Sequence, residues 1–342
     1  MNTALLNLSA SALALCVTLS AATAQEFTLR MHQFLPGQAN VPAKILEPWA
    51  DAIEEASGGR IEIQRFHAMQ LGGTPPELMD QAIDGTADII WTLPGYTPGR
   101  FPGTEVFELP FMMENGNAEA ASRAFWTLAK ETMMDQFEDV HVLGLWVHGP
   151  GVIHSSDPIE DVSDLNGVKL RAPTRVTNKM LSGLGATAVG MPVPAVPEAL
   201  SQGVIDATVI PWEVTGALRV AELVDNHTTF GDEALYTATF ILAMNKDTYN
   251  ALPDDLQAII DENSGLEFSA SAGAQMQEDD GPAREIAEDM GNNIIDLTAD
   301  QVAAWRDAAA PTIDSWIAEM NDAGIDGSAM VDRARALISE NQ

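Results

Sequence analysis

The chain has 342 residues, with 50 aspartates and glutamates against 17 lysines and arginines, so its net charge at pH 7 is −33. A surface this negative excludes nucleic acid and anionic membranes as binding partners. The only cysteine, Cys16, lies within the first 24 residues, which excludes disulfides, thiolate metal sites and cysteine nucleophiles from the remainder.

The first element in chain order is a predicted export signal. Residues 1–24 contain no charged side chain, residues 5–19 are mainly apolar, and Ala-Thr-Ala at 22–24 satisfies the small-x-small rule of signal peptidase. The apolar stretch is shorter than the roughly 20 residues that span a membrane. We therefore expect export to the periplasm and a soluble chain that starts at Gln25 and is long enough for two domains.

The exported part opens with alternating strands and helices. Strands are predicted at 27–31, 61–66 and 87–91 from their β-branched and alternating patterns. Between them lie a helix at 42–56 and a second helix, which begins at a capping box in residues 74–77 with proline at the first helical position. Strands separated by helices indicate parallel βαβ units and an α/β fold.

The same order of elements recurs further along the chain. A strand near 186–190 precedes a helix at 194–202 and a strand at 204–209. When Gly85 is aligned with Gly203, Asp88 is aligned with Asp206. Two related α/β lobes would enclose a cleft, and small ligands bind in such clefts.

The chain is predicted to cross between the two lobes twice. We expect it to leave the first lobe after a strand at 140–147 and to return before a strand at 238–243. A helix that starts near Leu252 and runs to Pro282 would be long enough to brace both lobes. The predicted lobes are 25–148 plus 235–275 and 149–234 plus 276–342.

Arg171 is the most informative candidate residue. It lies in a short apolar strand that ends at Pro173, in a chain where basic residues are scarce. A guanidinium buried without a partner is costly. Its partner is therefore either a carboxylate of the protein or an anionic ligand, and the residues alone leave both open.

Other candidates stand where predicted strands end, which is where α/β clefts open. Trp212 and Trp91 follow equivalent strands of the two lobes, although core packing is the usual fate of tryptophan. His32 and His148 also follow strands, and a lone histidine is more often structural than a ligand contact. Glu213 would either accept from a ligand ammonium group or brace Arg171.

Signatures of catalysis are absent from the sequence. The six histidines have no metal-binding spacing, and no Gly-x-Ser-x-Gly elbow occurs. The sequence therefore shows no nucleophile–base pair of the kind that a secreted α/β hydrolase, the alternative from another class, would need. Neither an enzyme nor a bound metal or cofactor is predicted.

Five segments in order resemble one family, the extracytoplasmic solute-binding proteins of tripartite ATP-independent periplasmic (TRAP) transporters. The resemblance covers essentially the whole exported part. The segments are Met-Gln-Leu-Gly-Gly at 69–73, Glu-Leu-Pro-Phe at 108–111, Asp-Leu-Asn-Gly-Val-Lys-Leu-Arg at 164–171, Met-Pro at 191–192 with Glu-Ala-Leu-Ser-Gln-Gly-Val-Ile-Asp at 198–206, and Leu-Pro-Asp-Asp-Leu at 252–256.

This resemblance implies a two-lobe periplasmic binding protein fold with crossing strands and a long helix, closing on its ligand like a hinged trap. It implies that Arg171 binds the carboxylate of a small organic acid, and such pairs are bidentate and planar. It also implies delivery of the solute to membrane permease subunits that an ion gradient drives, and we expect the receptor to be a monomer.

The sequence departs from the family pattern at the site. Many relatives have Gln-Glu-Asn-Pro where this chain has Thr-Val-Ile-Pro at 208–211, so Ile210 replaces the usual asparagine. Gly151 stands where sialic-acid-binding relatives supply a second arginine. These departures favour a small or apolar acid over a sugar acid. The alternative solute is a betaine-like zwitterion held by Trp91, Trp146 and Trp212 through cation–π contacts.

Overall fold

The computed structural model describes residues 25–342, so the predicted export signal lies outside the described residues. Within this range no helix is long and apolar enough to cross a membrane. The strands are β1 (Phe27–His32), β2 (Ile61–Phe66), β3 (Ile89–Thr92), β4 (Val140–Val147), β5 (Val152–Ser155), β6 (Lys169–Ala172), β7 (Thr187–Gly190), β8 (Ala207–Ile210), β9 (Asn226–Thr229), β10 (Thr239–Asn245) and β11 (Asn293–Asp296). The α-helices are α1 (Glu47–Ala56), α2 (Leu78–Ile83), α3 (Ala118–Thr132), α4 (Arg175–Gly183), α5 (Val196–Ser201), α6 (Thr215–Leu218), α7 (Lys246–Ala251), α8 (Asp254–Glu262), α9 (Leu266–Glu278), α10 (Asp280–Asp289), α11 (Ala299–Asp322) and α12 (Gly327–Glu340).

The first sheet has the strand order β2-β1-β3-β10-β4. β1 is parallel to β2 and β3, as expected for βαβ units, whereas β10 is antiparallel to β3 and β4. β10 is the strand on which the chain returns from the second sheet. Its insertion beside β3 completes the first lobe with residues from a distant part of the sequence.

The second sheet has the order β11-β9-β5-β8-β6-β7. β6 is parallel to β7 and β8, and β5 is antiparallel to both β8 and β9. The parallel strands β6 and β8 end on the side that faces the first sheet. The segments that follow them therefore meet those that follow β1 and β3, and this meeting place contains the site.

Two crossing segments, between β4 and β5 and between β9 and β10, connect the sheets. They lie against each other, since the Gly151 N–H donates to the Tyr236 carbonyl at 3.0 Å and the Thr237 hydroxyl donates to the His148 carbonyl at 2.8 Å. A side chain at Gly151 would collide with the Tyr236 ring. Glycine is needed here because the second segment passes so close.

The long bracing helix differs from the prediction. Its expected beginning near Leu252 is wrong, because α8 ends at Glu262 and Gly265 has a φ of 86° before α9 starts. This left-handed conformation suits glycine and ends a helix. The brace is instead α9 and α10, separated only by Asp279. α9 packs on α3 and β4 of the first lobe, and α10 packs on α6 of the second.

The last helix also departs from the predicted division of the chain. Residues 276–342 were assigned to the second lobe, yet α12 packs on α3 of the first. The preceding helix, α11, packs on α4 of the second lobe and has 24 residues. At about 1.5 Å per residue it is long enough to carry the chain back across the molecule.

Candidate ligand-binding site

A narrow cavity lies between the two sheets. Its volume is about 40 Å³ for the centre of a water-sized sphere. Since about 10–15 Å³ of such space holds one water, the cavity has room for a small molecule. Its walls are Phe34, Leu35, Trp91, Leu93, Tyr96, His148, Arg171, Pro173, Val193, Ile210, Pro211, Glu213, Val214, Tyr236, Ala238, Phe240 and Met276.

Arg171 is the basic residue of this wall, and it is 1% exposed. Its Nε donates to the Met191 carbonyl at 2.9 Å and its Nη1 donates to the Val209 carbonyl at 3.0 Å. No carboxylate within residues 25–342 forms an ion pair with it. Burial lowers its pKa, yet arginine remains charged at neutral pH. The guanidinium is thus oriented by the backbone and keeps an uncompensated charge at the cavity.

Two tyrosines lie beside this guanidinium. The Tyr96 hydroxyl accepts from the Val193 N–H at 3.0 Å, and Tyr236 comes from the second crossing segment. Burial raises the pKa of both phenols, so both stay protonated. The sequence pattern did not single out Tyr236. The available signal was its place at the predicted return between the lobes.

The remainder of the cavity is mainly aromatic and aliphatic. Trp91, at the end of β3, stacks on Phe34 with ring centroids 4.6 Å apart and on Phe240 at 5.3 Å. Ile210 ends β8 and is 1% exposed. The Trp91 Nε1–H has no hydrogen-bond partner among the described residues. These side chains form a slot for a ring, with one unused indole donor.

His148 lines the cavity but cannot hydrogen-bond a ligand there. Its Nδ1 lies 2.5 Å from the Gly149 carbonyl, and its Nε2 lies 3.0 Å from the Ala238 N–H. The first nitrogen therefore carries the proton and the second accepts. Burial lowers the pKa of His148 to about 4. The neutral ring joins the two crossing segments and offers only its carbon atoms to the cavity.

Glu213 brings a buried carboxyl group to the same cavity. Its N–H donates to Asp280 Oδ1 at 2.9 Å, and its carbonyl accepts from Asn40 Nδ2 at 2.9 Å. Burial, with the charges of Asp280 and Asp279, raises the pKa of Glu213 well above its ordinary value. Oε2 has no hydrogen-bond partner in the described part of the chain. Glu213 does not brace Arg171, because no ion pair joins them.

Two of the residues predicted as ligand contacts do not line this cavity. Pro211 and Glu213 line the cavity, while Trp212 between them points the other way and packs against His154 and His227, each with ring centroids 4.9 Å away. His32 is the last residue of β1, and both of its ring nitrogens are engaged there. Its Nδ1 lies 2.7 Å from Gln81 Oε1, and its Nε2 accepts from the Leu71 N–H at 3.3 Å. Both residues are structural because their neighbours take them away from the cavity.

Comparison with known sequences gives the family. The model of the family described as bacterial extracellular solute-binding protein, family 7 (DctP), matches residues 36–319. The chain belongs to this family. It is a transport solute-binding protein and not an enzyme, and the resemblance seen in the sequence is confirmed. In residues 25–342 no group of three or more histidine, cysteine or acidic side chains could hold a metal ion.

Solved structures confirm the two-lobe fold. A TRAP solute-binding protein of Rhodoferax ferrireducens, in complex with copurified benzoate, is 49% identical with a TM-score of 0.90, covering 92% of this chain and 98% of that one. A marine metagenome TRAP protein specific for aromatic acid ligands, in complex with 3-hydroxybenzoate, is 44% identical with a TM-score of 0.90, covering 93% and 99%.

A more distant relative has a different solute. The ectoine/5-hydroxyectoine-binding periplasmic protein of Ruegeria pomeroyi is 24% identical over 318 residues, covering 90% of this chain and 91% of its own. The family thus includes receptors for acids and for zwitterions, and the residues of the cavity must distinguish them.

Proposed function

We propose that this protein is the periplasmic receptor of a TRAP transporter for a small aromatic carboxylate, which it hands as a monomer to the membrane permease subunits. The observation that carries the proposal is Arg171, a buried cation that lines a mainly aromatic and aliphatic cavity and has no counterion among residues 25–342. A carboxylate would pair with the guanidinium bidentately, and such charge-assisted bonds are strong where water is excluded. Export by residues 1–24 would bring the receptor to the periplasm.

The aromatic part of the proposal rests on the apolar walls. Trp91, Phe34 and Phe240 are stacked within a single cluster at the cavity. A ring placed against them gains offset stacking and removes apolar surface from water. The copurified benzoate and the 3-hydroxybenzoate of the two solved relatives agree with this chemistry.

The betaine alternative has less support in this cavity. It requires three tryptophans around an onium group. Trp212 points away, and Trp146 lies behind Trp91 with ring centroids 6.5 Å apart. Trp91 is then the only one of the three in the cavity wall as described for residues 25–342.

The test is ligand-induced thermal stabilisation of residues 25–342 with benzoate. Wild type should melt at a higher temperature with benzoate, and Arg171→Ala should lose this increase. Arg335→Ala, at an exposed arginine of α12, is the matched control and should keep it. An undiminished increase in Arg171→Ala would overturn the assigned role, and a betaine that stabilises wild type where benzoate does not would favour the alternative.

A further inference from the structure

Glu213 is not explained by capture of a plain carboxylate. The residue is 4% exposed and lines the same cavity as the apolar side chains of Leu35, Val214 and Met276. Oε2 has no partner within residues 25–342. A buried polar atom without a hydrogen bond is destabilising, so a side chain of purely structural purpose would be apolar here.

The position of Glu213 is fixed from both sides. Asn40 of the first lobe holds its carbonyl, and Asp280 of the bracing helix holds its N–H. These bonds fix the backbone of Glu213 against both lobes, and the burial of the residue keeps its side chain inside the structure. Its direction into the cavity is a property of the closed structure.

We propose that Glu213 is a second polar contact of the cavity and that it reads a hydroxyl group on the ring of the bound acid. This inference rests on the proposed function and adds the substrate class, a hydroxylated aromatic acid. A neutral carboxyl group has one O–H donor and a carbonyl acceptor, and a hydroxyl group can satisfy both.

The spacing of the two polar groups suits such a ligand. Arg171 donates to Val209, and Glu213 is four residues further on. Both side chains also line the same cavity, so one bound molecule can contact both. Ile210 and Pro211 come between Val209 and Glu213 in the sequence, and they line the same cavity. A ring along these two residues has its carboxylate at Arg171 and its far edge toward Glu213.

Basic side chains near Glu213 are already engaged. Lys44 donates to Asp279 Oδ1 at 2.5 Å, and Arg284 is paired with Glu288 and Asp296. No protein cation is therefore positioned to hold Glu213 as a carboxylate in the described structure. A ligand ammonium group would require the ionised form, which full burial opposes. A ligand hydroxyl group, in contrast, can form hydrogen bonds with the neutral carboxyl group of Glu213.

The experiment compares benzoate with 2-, 3- and 4-hydroxybenzoate by isothermal titration calorimetry. Wild type should bind one hydroxybenzoate at least about tenfold more tightly than benzoate, since an unpaired polar group in the site disfavours the unsubstituted ring. Glu213→Gln keeps a donor and an acceptor and should keep most of this preference. Glu213→Met should lose the preference while it binds benzoate as tightly as wild type or more so.

Control variants separate this inference from the proposed function. Glu278→Met, at an exposed glutamate of α9, should keep the wild-type preference. Arg171→Ala should lose affinity for all four acids to the same extent. Failure of wild type to bind any of the four would overturn the proposed function itself. The inference alone is overturned if wild type shows no preference for a hydroxybenzoate over benzoate, or if Glu213→Met keeps that preference. It is also overturned if wild type prefers 4-(aminomethyl)benzoate and Glu213→Gln abolishes this preference. The melting temperature of each free variant verifies folding.

Discussion

Arg175 at the start of α4 in the second lobe forms an ion pair with Glu105 in the first lobe, with Nε 3.0 Å from Oε1. Glu105 is 4% exposed, and it also accepts from Trp316 Nε1 at 3.0 Å. Arg175 extends the network to Glu319 at 2.5 Å. The network joins the lobes beside the cavity without lining it, so it favours the closed arrangement.

Glu105→Gln should therefore weaken benzoate binding, although residue 105 does not line the cavity. Loss of one charge from a partly buried pair leaves Arg175 less well neutralised when the lobes are closed, and closure becomes less favourable. We expect affinity to fall several-fold, mainly through faster dissociation, as measured by stopped-flow fluorescence. Glu267→Gln removes an ion pair with Arg123 that lies within the first lobe and should leave the dissociation rate unchanged. Equal effects of both variants would contradict a role in closure.

Local structure was largely predictable from the sequence. The bounds of β2 and β4 agree with the prediction, because alternating or continuous apolar patterns bounded by turns determine them. The capping box of Thr74 and Glu77 is also present. The burial of Arg171 followed from its apolar neighbours. These features depend on residues close in sequence.

Features that depend on tertiary contacts were not predictable. Trp212 and Glu213 are adjacent, and only the packing of α10 and the contact from Asn40 decide which of them faces the cavity. Tyr236 reaches the site because the crossing segments lie side by side. The return of α12 to the first lobe likewise depends on the surface that α3 offers. Periodicity carries no information about such choices.

Glu108 provides a prediction about pH. Its Oε1 accepts from the Thr239 hydroxyl at 2.8 Å, and burial raises its pKa from 4.5 to about 7. Between these values the folded chain keeps a proton that the unfolded chain has lost, so this group lowers the free energy of unfolding as pH rises from 4.5 to 7. The shift corresponds to about 3 kcal/mol at pH 8.

Glu108→Gln mimics the protonated group and should remove this loss. The variant should match wild type near pH 4.5 and be more stable at pH 8, as measured by urea unfolding at both values. Glu55→Gln, at an exposed glutamate of α1, should show the wild-type dependence. A Glu108→Gln variant whose stability falls with pH as steeply as that of wild type would contradict the assignment.

His154 and His227 should make stability depend on pH in the opposite direction to Glu108. Their Nδ1 atoms lie 2.7 Å apart, His154 Nε2 lies 3.3 Å from the Ile210 carbonyl, and His227 Nε2 lies 3.0 Å from Asn292 Nδ2. The amide donates to His227, His227 donates to His154, and His154 donates to the carbonyl. This chain requires both rings to be neutral and ends at the strand that borders the cavity.

Acid should therefore destabilise the protein through these rings. Burial lowers the pKa of His227 from 6.5 to about 4 and holds that of His154 well below its ordinary value, so the unfolded chain takes up protons first as pH falls below 6.5. His227→Asn keeps an amide donor for His154 and should reduce the fall in melting temperature between pH 7 and pH 5. His67→Asn, at a partly exposed histidine, is the control. An unchanged fall in His227→Asn would show that the pair does not titrate as described.

Ile210 tests why this cavity departs from the family pattern. Its side chain is 1% exposed and lines the same cavity as Arg171 and Glu213. Ile210→Asn would restore the residue that many relatives have, but it would place an amide against the face of an aromatic ring. An unsatisfied amide costs about 1–3 kcal/mol, so benzoate should bind roughly 5- to 150-fold more weakly by calorimetry. Ile210→Val shortens the side chain without adding polarity. We expect it to weaken benzoate binding by only about 0.5–1.5 kcal/mol, as for Ile-to-Val changes in packed interiors. If both variants bind benzoate equally well, the polarity of this position does not select the ligand, and the apolar wall would have to be explained by packing alone.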